Sequence, residues 1–166
     1  GGIKYFTWQN NTWAQAGPVL RDNVSPGRAH QGVSTIMSAD GSTLAYSGKQ
    51  NNYGTVWVYG RNGFKWDAQA VLQSPESDSV PTSFGLTSHN GNYRSFASAI
   101  ALSGNGSVLA VGSPGNIYYN NPYWGKVFLY KRSNNAWLLD TALYVADSTV
   151  YPNKSAFGTS VALSSD

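Results

Sequence analysis

The stretch Ala97-Ser98-Ala99-Ile100-Ala101-Leu102-Ser103-Gly104-Asn105 decides how this chain is read, because it occurs three times. It aligns without gaps with Gly32-Val33-Ser34-Thr35-Ile36-Met37-Ser38-Ala39-Asp40 upstream and with Gly158-Thr159-Ser160-Val161-Ala162-Leu163-Ser164-Ser165-Asp166 downstream. The first two copies continue alike, as Gly41-Ser42-Thr43-Leu44-Ala45-Tyr46-Ser47-Gly48 and Gly106-Ser107-Val108-Leu109-Ala110-Val111-Gly112-Ser113. After a variable loop comes a third shared element, Gly54-Thr55-Val56-Trp57-Val58-Tyr59 or Gly125-Lys126-Val127-Phe128-Leu129-Tyr130. Each leads seven residues later to a tryptophan, Trp66 or Trp137, and to an apolar ending at Leu72 or Leu143. The first residues carry this second half alone: Ile3, Tyr5 and Phe6 precede Trp13 and Leu20.

A repeat of this length is one supersecondary unit that must stack on its neighbours to bury a core. Within each unit four short segments alternate apolar and polar residues and are separated by turn residues, which predicts a four-stranded antiparallel meander and an all-β chain. Asp40-Gly41 and Asn105-Gly106 predict tight, left-handed hairpin turns between strands one and two. Arg61-Asn62-Gly63, Ser133-Asn134-Asn135 and Gln9-Asn10-Asn11 predict the turns between strands three and four. In the first strand large residues (Ile100, Leu102, Val161, Leu163) alternate with small ones (Ala99, Ala101, Ser160, Ala162), as expected where innermost strands converge on the axis of a β-propeller. A sandwich is the competing architecture. Repetition of the whole meander favours radial blades, an incomplete propeller of about three blade equivalents. The expected division is half a blade over 1–29, full blades over 30–94 and 95–155, and the first strand of a further blade over 156–166. Those half-made terminal units are expected to belong to a longer chain or to be completed by neighbouring copies.

Composition narrows the function. Aromatics form 14% of the 166 residues, enough for a packed core, whereas charged residues form 11%, about half the usual share. The net charge of +3 is spread along the chain and forms no nucleic-acid stripe. No apolar run approaches the length of a bilayer span. Cysteine is absent, so disulfides and thiolate chemistry are excluded. Two histidines, His30 and His89, and eight carboxylates are sparse material for acid-base catalysis, and no enzyme activity is expected. Glu76 and Asp78 sit together in a Ser/Pro-rich connection, where solvation is the plainer role.

Phe157-Gly158, softened to Phe96-Ala97 and Gln31-Gly32, together with Gly112-Ser113-Pro114, resembles the FG-GAP repeat of integrin α-subunit propellers and of bacterial and algal surface proteins. The pattern Ser-x-Asp/Asn-Gly-Ser-x-Leu-Ala, followed by Gly-x-Val-x-Val-Tyr and a tryptophan, is similar to the calcium-free branch of that family. The resemblance implies a seven-bladed propeller with an extracellular, cell-surface role in structure or adhesion. Calcium-binding members carry clustered carboxylates in the first hairpin. Here Ser38-Ala39-Asp40-Gly41 and Ser103-Gly104-Asn105-Gly106 supply one carboxylate or none, so neither a metal nor a cofactor is expected. Trp66-Asp67 imitates a WD dipeptide, but Trp137-Leu138 and Trp13-Ala14 occupy the same place.

Loops held by rigid scaffolds are where binding evolves. The loop between strands two and three of the second unit contains Tyr118, Tyr119, Asn120, Tyr123 and Trp124, flat apolar faces beside amide groups that suit a sugar or a protein edge. Packing over the blade rim is the plainer reading of the same residues. Asn-x-Ser/Thr sequons at Asn10, Asn23, Asn105 and Asn153 are no more than chance supplies. In a eukaryotic secretory route Asn10, Asn23 and Asn153 are the candidate glycosylation sites, and Asn105 is disfavoured by its tight turn. The sequence therefore points to a non-catalytic, secreted adhesive or structural propeller with protein or glycan partners and possible self-assembly. A lectin-like propeller and a propeller-scaffold hydrolase or lyase are the alternatives.

Overall fold

A computed structural model describes residues 1–21, 31–50, 53–75, 96–114, 125–144 and 157–165. Ten strands make up their regular secondary structure, and every ladder is antiparallel. β1 (Phe6–Gln9) pairs with β2 (Thr12–Gln15), and an isolated Ile3–Leu20 bridge extends this ribbon. β3 (Thr35–Met37), β4 (Thr43–Gln50), β5 (Tyr53–Asn62) and β6 (Lys65–Gln73) form one four-stranded sheet in sequence order. β7 (Ala99–Leu102), β8 (Val108–Ser113), β9 (Lys126–Ser133) and β10 (Ala136–Tyr144) form the second in the same way. Both sheets are meanders, as the repeat predicts. They share even an irregularity: the ladder between the last two strands slips at Gln69 in one unit and at the equivalent Asp140 in the other.

The turns follow local chemistry. Asn10 and Asn11 both have positive φ, the pattern of a type I′ hairpin. In the equivalent turns only the first central residue, Gly63 or Asn134, is left-handed, the pattern of type II′. The first hairpin departs from the expected tight pair. Only Gly41 (φ 67°) and Gly106 (φ 66°) are left-handed, and Asp40 and Asn105 are not. Gly41 N donates to Ser38 O at 2.9 Å, closing a turn over 38–41, and the next ladder contact is Ser38 N to Thr43 O at 2.9 Å. The longer loop arises because the Asp40 carboxylate caps the Ser42 amide, holding Asp40 in an ordinary conformation while glycine makes the reversal.

Three copies of one interface hold the array together. The face of the first sheet carrying Leu44, Tyr46, Trp57, Tyr59 and Trp66 packs on Ile3, Tyr5 and Leu20 of the ribbon. The equivalent face of the second sheet, with Leu109, Val111, Phe128, Tyr130 and Trp137, packs on Ala45, Val56, Val58 and Leu72 of the first. Val161 and Leu163 then lie on Ala101, Ala110, Val127 and Leu129 of the second, although 159–164 pairs with no strand among the described residues. Between the two four-stranded sheets the strands meet in matching order: β3 and β4 contact β7, and β6 contacts β10.

Backbone contacts repeat with the same register. A Cβ on Gly54 would overlap the Phe96 carbonyl, one on Gly125 would overlap the Phe157 carbonyl, and one on Gly1 would stand 2.7 Å from Gln31 O. The residue after each of those carbonyls, Gly32, Ala97 or Gly158, has positive φ, which swings the chain into the first strand. Ala97 alone is not glycine, and its methyl is buried. Relief of ~1–2 kcal/mol of left-handed strain offsets ~0.8 kcal/mol of methyl burial and the added freedom of the unfolded chain, ~0.4–1 kcal/mol. Ala97→Gly is therefore expected to leave stability within about 0.5 kcal/mol of the parent, whereas Gly32→Ala, whose methyl would be exposed and crowd the Ile3 side chain, costs about 1 kcal/mol net of the same unfolded-chain term. Urea denaturation of both variants checks this.

Candidate functional site

Tyr118, Tyr119, Asn120, Tyr123 and Trp124 lie outside the described residues, as do Asn23, Asn153, His30, His89, Glu76 and Asp78. The structure does fix the base of the 115–124 loop: Ser113 of β8 pairs with Lys126 of β9, and Gly125 is wedged beside the Phe157 carbonyl. Asn10 is described and sits exposed at the tip of the β1–β2 turn.

At the other end of the strands the first hairpins of the two sheets meet, and Asp40 N donates to Gly104 O at 3.3 Å. Each turn has an internal polar knot. Ser38 Oγ (2.5 Å), Ser42 N (2.9 Å) and Ser42 Oγ (2.9 Å) all donate to the Asp40 carboxylate. In the second turn Ser103 Oγ (2.9 Å), Ser107 N (3.0 Å) and Ser107 Oγ (2.6 Å) donate to Asn105 Oδ1. The sequon asparagine Asn105 is thus engaged by its own sequon serine. Arg132 bridges the sheets, donating from Nε to Asn134 O at 3.2 Å and from Nη1 to Thr43 Oγ1 at 3.3 Å. These polar groups bind the architecture to itself. Among the described residues no group of three His, Asp or Glu is placed to hold a metal ion, and no helix is long and apolar enough to cross a membrane.

The hydrogen bond from Ser38, and then those from Ser42, hold the Asp40 carboxyl below its ordinary value of 3.8. A depressed folded-state value means that the contribution is fully present above the unfolded value and is lost as pH falls through the lower folded one. Asp40→Asn, which installs the side chain already used at Asn105, is expected to leave stability at neutral pH unchanged and to remove this acid-range dependence. Urea midpoints followed down from pH 5 to pH 2.5 report it.

Tyr130 is buried at the interface between the two sheets, and its hydroxyl has no hydrogen-bond partner. Burial alone pushes its pKa up to about 12. Its counterpart Tyr59 instead places its hydroxyl 3.4 Å from that of Tyr46. Tyr130→Phe is expected to stabilise the protein by about 1 kcal/mol, since it removes an unmatched buried polar group without changing ring packing; thermal denaturation gives the sign.

One surface was not singled out from the sequence. Phe6, Trp8 and Trp13 share a face of the β1–β2 ribbon and are 51%, 57% and 67% exposed. Trp8 and Trp13 are directly paired across the strands, their rings edge to face at 5.3 Å. The signal lay in the alignment: Phe6 and Trp13 occupy the places of Tyr59 and Trp66, which are covered by a neighbour. On the far side of the second sheet Leu138 and Leu143 are similarly exposed, 57% and 46%.

No protein-family model matches the chain, and no curated protein compared with it matches significantly.

Proposed function

We propose that this chain is part of an extracellular β-propeller, a non-catalytic module that works by presenting loops from a rigid ring of blades to protein or glycan partners. The observation that carries the reading is the single inter-unit interface occurring three times. Units that meet repeatedly through equivalent positions, with first strands facing first and last facing last where both sheets are complete, are what a stack of propeller blades requires, and this repetition supports the reading. Seven blades, the FG-GAP relationship and the secreted location follow from the sequence resemblance. The described charged groups support a structural role, since Asp40, Arg132 and the Lys131–Asp140 pair at 3.1 Å are spent on turn and strand contacts.

The Tyr118–Trp124 loop is proposed as the recognition element, with Asn10 a glycan acceptor where the chain is made in a eukaryotic secretory route. Immobilised chain probed against glycan and extracellular-protein arrays is expected to retain a partner, and Trp124→Ala is expected to abolish retention with an unchanged melting temperature. A chain that retains nothing from either array would sink the adhesive reading. Retention competed by a simple sugar would move it to the lectin alternative.

A further inference from the structure

Two asparagine-glycine pairs lie among the described residues, Asn62-Gly63 and Asn105-Gly106, and a third, Asn90-Gly91, lies outside them. Such a pair is open to one covalent change, because a glycine nitrogen has no side chain beside it to shield it from the asparagine carbonyl. Both described asparagines are exposed, so their own exposure does not separate them. The glycines do. Gly106 is buried, its amide donates to Ser103 O at 2.9 Å, and a Cβ on it would crowd Thr43 of the neighbouring sheet. The carbonyl which that nitrogen would have to reach is held as well, since Asn105 Oδ1 accepts from Ser103 Oγ, Ser107 N and Ser107 Oγ. Gly63 is exposed at the tip of the β5–β6 hairpin, with nothing within 4 Å of where a Cβ would stand. Its amide makes no hydrogen bond among the described residues, and Asn62 Oδ1 accepts none. The equivalent turns on either side, Asn10-Asn11 and Asn134-Asn135, are both in place and leave this tip open.

We infer that Asn62 is a site of spontaneous deamidation, that Asn105 is protected from the same reaction by its turn, and that the change at Asn62 loosens the β5–β6 hairpin. The Gly63 amide nitrogen gives its proton to hydroxide and attacks Asn62 Cγ. The new Cγ–N bond closes a five-membered imide, and the Cγ–Nδ2 bond breaks as ammonia leaves with its third hydrogen taken from water. Water then opens the ring, its hydroxyl going to one carbonyl and its hydrogen to the Gly63 nitrogen. Opening at Cγ leaves aspartate; opening at the main-chain carbonyl leaves isoaspartate, with the chain routed through Cγ. Either product replaces a donor by a carboxylate, because Asn62 Nδ2 now donates to Asp67 Oδ2 at 2.8 Å across the hairpin. Like charges so placed across a strand pair are destabilising. Isoaspartate also adds a main-chain atom beside the Asn62–Lys65 pair that closes the turn, one pair from Arg61–Trp66. Trp66 in turn meets Tyr5 edge to face, so the loosening reaches the contact with the ribbon.

The whole chain, incubated folded in mildly alkaline buffer and in parallel unfolded in urea, is mapped peptide by peptide with electron-transfer fragmentation, which locates the gain of one mass unit and tells isoaspartate from aspartate. In the folded chain conversion is expected at least about tenfold faster at Asn62 than at Asn105, the ratio that protection by structure produces. In urea the two pairs should convert at similar rates, since each is then an unstructured asparagine followed by glycine. Asn62→Gln, whose longer side chain would have to close a six-membered ring, should abolish conversion at that position and leave the melting temperature of fresh protein unchanged. The fraction carrying isoaspartate at position 62, separated by ion exchange, should melt below the fresh chain and lose near-ultraviolet dichroism from the Tyr5–Trp66 contact. Equal rates at the two sites in the folded chain, faster conversion at Asn105, or a preference for Asn62 that persists in urea overturns the inference. An isoaspartate fraction that melts with the fresh chain overturns the loosening of the hairpin.

Discussion

Gly54→Ala is expected to cost about 3 kcal/mol or more, an effect far beyond that of an ordinary surface glycine. Gly54 is the second residue of the third strand of the first sheet, is buried, and has no unusual φ, so conformational freedom is not its reason for being there. Its reason is approach. The Phe96 carbonyl of the next unit stands where a Cβ would go, and that carbonyl belongs to backbone that cannot rotate away as a side-chain tip would. Inserting one methyl must push the second sheet off the first and open the cluster of Ala45, Val56, Val58, Ile100 and Phe128. Gly125→Ala should act alike through Phe157, but less severely, because the described segment that it would displace, 157–165, packs on the second sheet through Val161 and Leu163 rather than through a whole sheet. Guanidinium unfolding of the two variants tests the ranking, and a loss below about 1 kcal/mol for Gly54→Ala would mean that the units are not pressed together at this point.

Trp57→Ala is expected to destabilise by about 3–5 kcal/mol. The side chain is among the largest fully buried ones, 2% exposed, and stacks on Tyr46 with ring centroids 5.3 Å apart. Tyr46 in turn stacks on Tyr59 at 5.7 Å, so the cavity would sit at the end of a three-ring pile that joins the first sheet to the ribbon. For a domain whose net stability is about 5–15 kcal/mol, such a loss is a large fraction. Residues 1–21 should separate from the rest first, and loss of the Tyr5–Trp66 edge contact at 6.3 Å would be visible in near-ultraviolet circular dichroism.

Much of the architecture was legible because the repeat compares the chain with itself. Each expected strand of the two full units is present, and the alignment placed Trp66 and Trp137 in equivalent surroundings. Where reading stopped, the reason is local or long-range physics. The Asp40-Gly41 pair looks like a two-residue turn, and it became a longer one because a carboxylate two residues from an amide can cap it, a competition that pair preferences do not record. Phe96-Ala97 reads in the sequence as a softened copy of Phe157-Gly158, but that its alanine keeps the left-handed backbone of Gly32 and Gly158 is visible only in the structure. Of the candidate sites, the aromatic loop and two of three proposed glycosylation asparagines fall outside the described residues. The exposed Phe6, Trp8 and Trp13 face was within reach of the alignment, but exposure is a property of neighbours, and no residue states which of its equivalents is covered.

Both sheets link strands only in the order in which the chain makes them, with every ladder joining consecutive segments. Closing such hairpins traps little loop entropy, and the transition to the native state needs few distant encounters. During synthesis each four-stranded meander can zip as it leaves the ribosome and then act as a template for the next, so within these two sheets every strand finds its mate in the segment translated just before or after it.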